Sequence, residues 1–314
     1  MNDMSEMSNM KDINNIKPGF DPLTLTDRDT GATYYGGDQG WYKSNTMAFA
    51  GCGSVACANM LRILAHKYPS VFEDERVSGE LKGLTEDACY KDDFTGFMGR
   101  IYKSMLVFEV PLIRRIYDAV NRGNKVFKPV FKLLPPSFGM SLNGFIRGTL
   151  KYCRKRGLLL HAHAIPTAFC SYDKGLDFIR EGLERGGSVV MLTSMNRHPL
   201  KLYSGRSGEL EQGYDSKKGV KSHFMTITGI VEGEVPLIKL TTWGRVATVP
   251  YDRLNRSWHR PWAFTSCLYY FTPAGSEAVV RADIRKSYVT FVKAVFLGLF
   301  GWVIPGNSAG MTKK

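Results

Sequence analysis

The amino-acid sequence predicts an α+β fold, with a helix in the first third of the chain and strands gathered in the last third. Three observations carry that expectation. A helix-period run follows Gly51-Cys52-Gly53-Ser54, strand-like runs crowd into residues 188–272, and the stretch between is apolar, basic and interrupted by prolines.

Taken in order, residues 1–30 read as an N-terminal arm rich in Asn, Asp and Met, with turn signals at Lys17-Pro18-Gly19 and Asp21-Pro22. Gly-rich turns then lead into Asp38-Gln39-Gly40-Trp41-Tyr42. From Cys52 onward Ala56, Met60, Leu61 and Leu64 recur at helical spacing, and the run stops before Pro69, which places Cys52 at a helix N-terminus. Residues 95–157 read as two or three short helices, broken at Pro111, Pro129 and Pro135-Pro136. Residues 175–187 form an amphipathic helix ended by glycines, and residues 188–193 a buried strand. A polar loop over 203–221 precedes strand-like runs at 223–231, 235–242, 247–251 and 266–272. No internal repeat is evident. A domain over residues 31–275 follows, with residues 276–314 as a separate tail. Within the tail, residues 288–304 are apolar with one charge, Lys293, and reach the short limit for spanning a bilayer. A docked terminal helix and a membrane anchor both fit that composition.

Composition narrows the functional classes. The 314 residues are 44% hydrophobic and 23% charged, the balance of a globular chain. The first residues lack the basic start and apolar core of a secretory signal, and the six cysteines follow no zinc or disulfide spacing. The expectation is a cytoplasmic protein with free thiols. The net charge of +13 is uneven: residues 100–160 hold thirteen Lys and Arg against two acids, Glu109 and Asp118. Such a segment attracts an anionic surface. A solvated helix face over a core is the first reading of the basic and aromatic run at 114–132; as a contact surface, the accompanying Leu, Ile, Val and Phe favour an anionic membrane, and nucleic acid is the lesser expectation because no binding module is visible. No phosphate loop, dinucleotide fingerprint or zinc-protease helix is present, and no cofactor is expected. His161-Ala162-His163 near Cys153 and Cys170 is a weak metal motif, lacking carboxylates and regular spacing.

The stronger constellation is spread along the chain. A cysteine at a helix N-terminus has its thiol acidified by unpaired N–H groups and the helix dipole. Gly51 and Gly53 let the backbone come close to a substrate. Gln39 carries an amide N–H able to meet an oxyanion, with Trp41 as an apolar wall. His223, at the edge between a loop and a strand, can project an imidazole into a cleft. Each is commonplace alone; the order Gln, Trp, Gly-Cys-Gly, distant His and then Thr-Trp-Gly is what carries the signal.

That order resembles the papain-like cysteine peptidases, and within them the bacterial branch of bacteriocin-processing (double-glycine) peptidases. The resemblance covers residues 34–66 and 175–272, which leaves 95–157 as a basic helical insertion, and it implies an N-terminal helix packed on a C-terminal antiparallel sheet. It implies a hydrolase in which Cys52 is the nucleophile, His223 the base and Gln39 the oxyanion donor, acting on a peptide or protein substrate. One departure stands out. Where papain-like enzymes carry Asn or Asp before Trp-Gly, this chain has Thr241-Thr242-Trp243-Gly244, so the third slot falls on Thr241. A hydroxyl can accept a bond from the imidazole but brings no charge to stabilise an imidazolium. Asp252 or Asn255 could stand in instead. The sequence therefore supports a thiol hydrolase cleaving a peptide or isopeptide amide, acyl transfer to an amine by the same residues, or a catalytically silent papain-like fold that binds a membrane surface or a partner.

Overall fold

Val189–Thr193 is apolar at nearly every position, which suits a strand covered on both faces. A computed structural model describes residues 21–105, 107–109, 111–119, 137–167, 170–193, 200–204, 220, 222–258 and 266–274, and it places this strand inside a seven-stranded antiparallel sheet. In chain order the elements are β1 (Thr24–Thr26), β2 (Thr33–Tyr35), α1 (Asn45–Ala50), α2 (Cys52–Lys67), α3 (Pro69–Phe72), α4 (Gly79–Lys82), α5 (Lys91–Ser104), β3 (Val107–Glu109), α6 (Pro111–Ala119), β4 (Ser137–Met140), α7 (Leu142–Arg154), β5 (Leu160–Pro166), α8 (Tyr172–Gly186), β6 (Val189–Thr193), β7 (Tyr203–Ser204), β8 (His223–Val231), β9 (Leu237–Thr242), β10 (Arg245–Pro250), α9 (Tyr251–Trp258) and β11 (Cys267–Pro273). The large sheet runs β5-β11-β6-β8-β9-β10-β7; β1 with β2 and β3 with β4 form two small ribbons. The α+β expectation, with an antiparallel sheet, describes this arrangement.

Strand alternation sorts the core into two clusters, one on each face of the sheet. Val190, Leu192, Phe224, Tyr269 and Phe271 face α2, α5 and α7. Val189, Met191, Met225, Ile227, Leu268 and Tyr270 face α8 and α9, where Ile179, Tyr251, Leu254 and Trp258 meet them. Helix α2 is buried at every position from Gly53 to Ala65, so it is a central helix wrapped on all sides. Each fully buried Leu or Met there contributes roughly 1.5–3 kcal/mol.

Several expected boundaries move. The arm read over residues 1–30 does not hold as a unit: residues 1–20 lie outside the described set, while Leu23 and Leu25 are buried and β1 pairs with β2. The stretch 95–157, read as an insertion, has core helices at both ends. Phe97, Met98 and Ile101 of α5 and Phe145, Ile146 and Leu150 of α7 pack with α2. The run read as a strand at 247–251 ends at Pro250, and Tyr251 begins α9. Within the loop read at 203–221, Tyr203–Ser204 pairs with β10 and Val220 bridges Leu200; the remainder is outside the described residues. The tail segment 288–304 is outside them as well, and among the described residues no helix is long and apolar enough to cross a membrane. The glycine stop after α8 has a direct cause: Gly187 sits at φ 74°, a left-handed cap that disfavours a side chain.

Candidate active site

Helix α2 is set by what precedes it. The hydroxyl of Ser44 caps α1 by accepting from Met47 N, and Gly51 joins α1 to α2. A Cβ at Gly51 would run into the Met47 carbonyl and the Tyr42 ring, so glycine is required at this junction. Cys52 is then the first residue of α2 and partly exposed. A small cleft of about 10 Å³, room for one water molecule, brings together Cys52, Asn59, Gln39, His223, Thr241, Thr242 and Trp243. Met140 of β4 lies against Gly53 beside it. Cys52, Val55, Ala56 and Asn59 form one stripe of α2 at helical spacing.

The electrostatics differ from the sequence expectation. Burial pushes the Cys52 thiol above its usual range, and bonds from the backbone N–H groups of Phe224, Gly53 and Cys52 itself only partly offset that. The helix start supplies the donors but does not win against desolvation. Burial also pushes His223 down to about 4. Both shifts favour the neutral forms over a thiolate–imidazolium pair. Cys57, one turn on, is fully buried against Thr149 Oγ1 at 3.4 Å, with its thiol pushed up to about 12.

His223 is held firmly. Its Nε2 lies 2.6 Å from Thr242 Oγ1, and its ring stacks on Trp243 with centroids 4.6 Å apart and planes 19° apart. The β9–β10 hairpin makes this clamp. Thr242 pairs with Arg245 across a two-residue turn in which Trp243 (φ 51°) and Gly244 (φ 69°) are both left-handed, as a type I′ turn requires. A left-handed Trp is strained; its stack on His223 helps hold it.

The hydroxyl on the ring is thus that of Thr242, whereas the sequence reading put Thr241 in that slot. The reason is strand alternation. Thr242 shares a face with Ile238 and Leu240, on the α8 side, together with Trp243. Thr241 faces the other way, donating to Tyr35 O and to Arg245 O at 3.2 Å, close to Asn59. His223 alternates with Met225 and Ile227 and so belongs to the α8 side too, while Phe224 and Thr226 point at α2. Cys52 therefore touches β8 through the Phe224 backbone N–H, and no hydrogen bond joins its sulfur to the imidazole. Asp252 pairs with Arg256 at 2.9 Å and Asn255 with Tyr251, so neither orients His223.

Gln39 sits in the short turn Gln39–Trp41, capped by Asp38, and donates through Nε2 to Ala48 O at 2.9 Å. Its Oε1 is buried without a partner, as is Asn59 Nδ2. The Oδ1 of Asn59 accepts from Gly37 N at 2.9 Å. Sequence reasoning passed over Asn59, although its position seven residues after Cys52 on one helix face was a legible signal. On β5, His163 bonds Thr272 Oγ1 at 3.2 Å and stacks on Tyr270. Among the described residues no group of three or more His, Cys, Asp or Glu is placed to hold a metal.

No protein-family model matches the chain, and no curated protein does. Among solved structures, the crystal structure of the Pseudomonas avirulence protein AvrPphB is similar at 7% identity and a TM-score of 0.29, over 72% of this chain and 93% of that one. A likeness at that level carries no argument about function.

Proposed function

We propose that this chain is a papain-like thiol hydrolase that cleaves a peptide or isopeptide amide through an acyl-Cys52 intermediate. The supporting observation is convergence at one cleft of groups far apart in sequence: Cys52 at the start of α2, Gln39 from the preceding turn, and an imidazole clamped by Thr242 and Trp243. In this reading Nε2–H of His223 stays on Thr242, leaving Nδ1 to take the thiol proton as Cys52 Sγ adds to the substrate carbonyl. The Gln39 amide N–H and the Cys52 backbone N–H stabilise the oxyanion. Collapse breaks the C–N bond, the amine leaves with the proton from His223, and a thioester remains. Water then adds with His223 as base, releasing the acid and restoring the thiol. An incoming amine in place of water gives acyl transfer by the same steps.

A second reading, a catalytically silent fold acting as a binding module, has its own support. Burial raises the Cys52 thiol and lowers the His223 imidazole, and the imidazole bonds Thr242, with no hydrogen bond to Cys52. Alkylation of Cys52 by iodoacetamide, followed by mass spectrometry against pH in the wild type and His223→Ala, separates the two. An assisted thiol reacts readily at pH 7, and His223→Ala slows it by about tenfold or more. An unassisted thiol reacts slowly at neutral pH, gains rate only as the solution is made alkaline, and is indifferent to His223→Ala; that result rejects the hydrolase.

A further inference from the structure

Helix α6 is inside out. Two of its charged residues, Arg114 and Asp118, are bonded inward: Arg114 bonds Glu109 Oε2 at 2.6 Å and reaches Asp118 at 3.6 Å. Asp118 Oδ1 accepts from Thr46 N at 2.7 Å and from Ser44 Oγ at 3.0 Å, and Asn45 Nδ2 donates to the Tyr117 carbonyl at 3.1 Å. Glu109 is held further by Tyr102 Oη at 2.6 Å. This network fixes α6 to α1, the helix that leads directly into Cys52. The opposite side of α6, carrying Pro111, Leu112, Arg115, Ile116 and Ala119, faces out.

The consequence is an exposed apolar face on the helix bonded to α1. Leu112 is 68% exposed, Phe108 on the adjoining β3 67%, Phe49 of α1 49% and Ile116 39%. Phe49 joins the group through Tyr117, its ring 6.0 Å away. Four large apolar side chains left in water beside a fixed helix are a binding surface. What they bind is indicated by charge. The only acids of residues 100–160, Glu109 and Asp118, are both turned inward, whereas Lys103, Arg115, Arg147, Lys151 and Lys155 are exposed. Apolar side chains that project from a helix, with the exposed Arg115 between Leu112 and Ile116, match the boundary between acyl chains and anionic headgroups.

We propose that the outward face of α6, with Phe108 and Phe49, binds an anionic lipid bilayer and so holds the Cys52 cleft at the membrane surface. The membrane contact then lies in α6, independently of the apolar tail segment 288–304 and of whether Cys52 is catalytic.

The test is flotation of the full-length chain with phosphatidylcholine vesicles, with and without phosphatidylserine, at low and high salt. The wild type should float with the anionic vesicles, less with the neutral ones, and only partly come off in high salt. Leu112→Glu/Ile116→Glu should lower the bound fraction by at least about tenfold with an unchanged melting temperature, since both side chains face water. Phe108→Glu, on a different element, should act in the same direction, and Leu112→Ile/Ile116→Leu should retain binding. A glutamate variant that floats like the wild type overturns the proposal and moves the contact elsewhere in the chain. Equal binding to neutral vesicles overturns its charge basis. A wild type that stays in the supernatant with every vesicle also overturns it and leaves the face to a protein partner.

Discussion

Two adjacent threonines do different work because a strand alternates. The Thr242 hydroxyl meets His223 Nε2, and that of Thr241 ties β9 to the carbonyls of Tyr35 and Arg245. If His223 acts as the base, Thr242→Val should slow Cys52 chemistry about ten- to a hundredfold, roughly 1.4–3 kcal/mol of barrier. Thr242→Ser should recover most of the rate. Thr241→Val should instead cost about 1 kcal/mol of stability with little change in rate. Alkylation rates and urea midpoints of the three variants check this. Equal rate losses at both positions would sink the assignment. His223 also makes stability depend on pH. Its pKa falls from 6.5 to about 4 on burial, so the unfolded chain binds a proton there before the folded one does. Its contribution is whole above pH 6.5 and is lost as pH falls towards 4, on the order of 3 kcal/mol. Urea unfolding at stepped pH should show that slope in the wild type and a flatter one in His223→Phe.

Among the elements, the catalytic candidate depends on how α2 begins and how it is anchored. Gly51 lets α1 and α2 meet at a junction that has no room for a side chain. Gly51→Ala should cost about 1–3 kcal/mol, because the obstruction includes a backbone carbonyl that cannot rotate away. It should also alter Cys52 reactivity; a variant with wild-type stability and reactivity would contradict the geometry. Ten residues on, the fully buried Arg62 donates to the carbonyls of Pro22, Leu84, Glu86 and Asp87, tying two loops to the middle of α2. Arg62→Met removes those donors and leaves buried carbonyls unpaired, a loss of about 3 kcal/mol or more readable in chemical denaturation.

For the whole molecule, one sheet serves both clusters, so there is no internal seam along which the described core divides. Val189 and Val190, neighbours in β6, belong to different clusters, and loss of that strand removes support from both sides. Unfolding followed by tryptophan fluorescence should coincide with unfolding followed by far-UV circular dichroism. Separate transitions would mean that one face can melt while the other persists. The charge has a direction at this scale too. With Glu109 and Asp118 bonded inward, Arg115 is the exposed charge on the outer side of α6, and the vesicle experiment is a test of that orientation as well as of the apolar face.

The elements were largely legible in the sequence because their signals are local. The helix from Cys52, the glycine-stopped helix before β6 and the strand His223–Val231 follow from side-chain period and turn residues alone. The expectation that Cys52, His223 and Gln39 act together came from their order along the chain and the resemblance that order carries; the three line one cleft. What the sequence could not determine was the face each side chain takes and the solvation it meets. Choosing Thr242 over Thr241 requires the register of β9, and a one-residue difference exchanges the two sides of a sheet. The inverted face of α6 follows from Arg114 finding Glu109 and Asp118, pairs that composition alone cannot assign. The Cys52 thiol was expected to be acidified by its helix start, a local effect. Only the tertiary structure, by enclosing the sulfur between α2 and β8, made desolvation the larger influence.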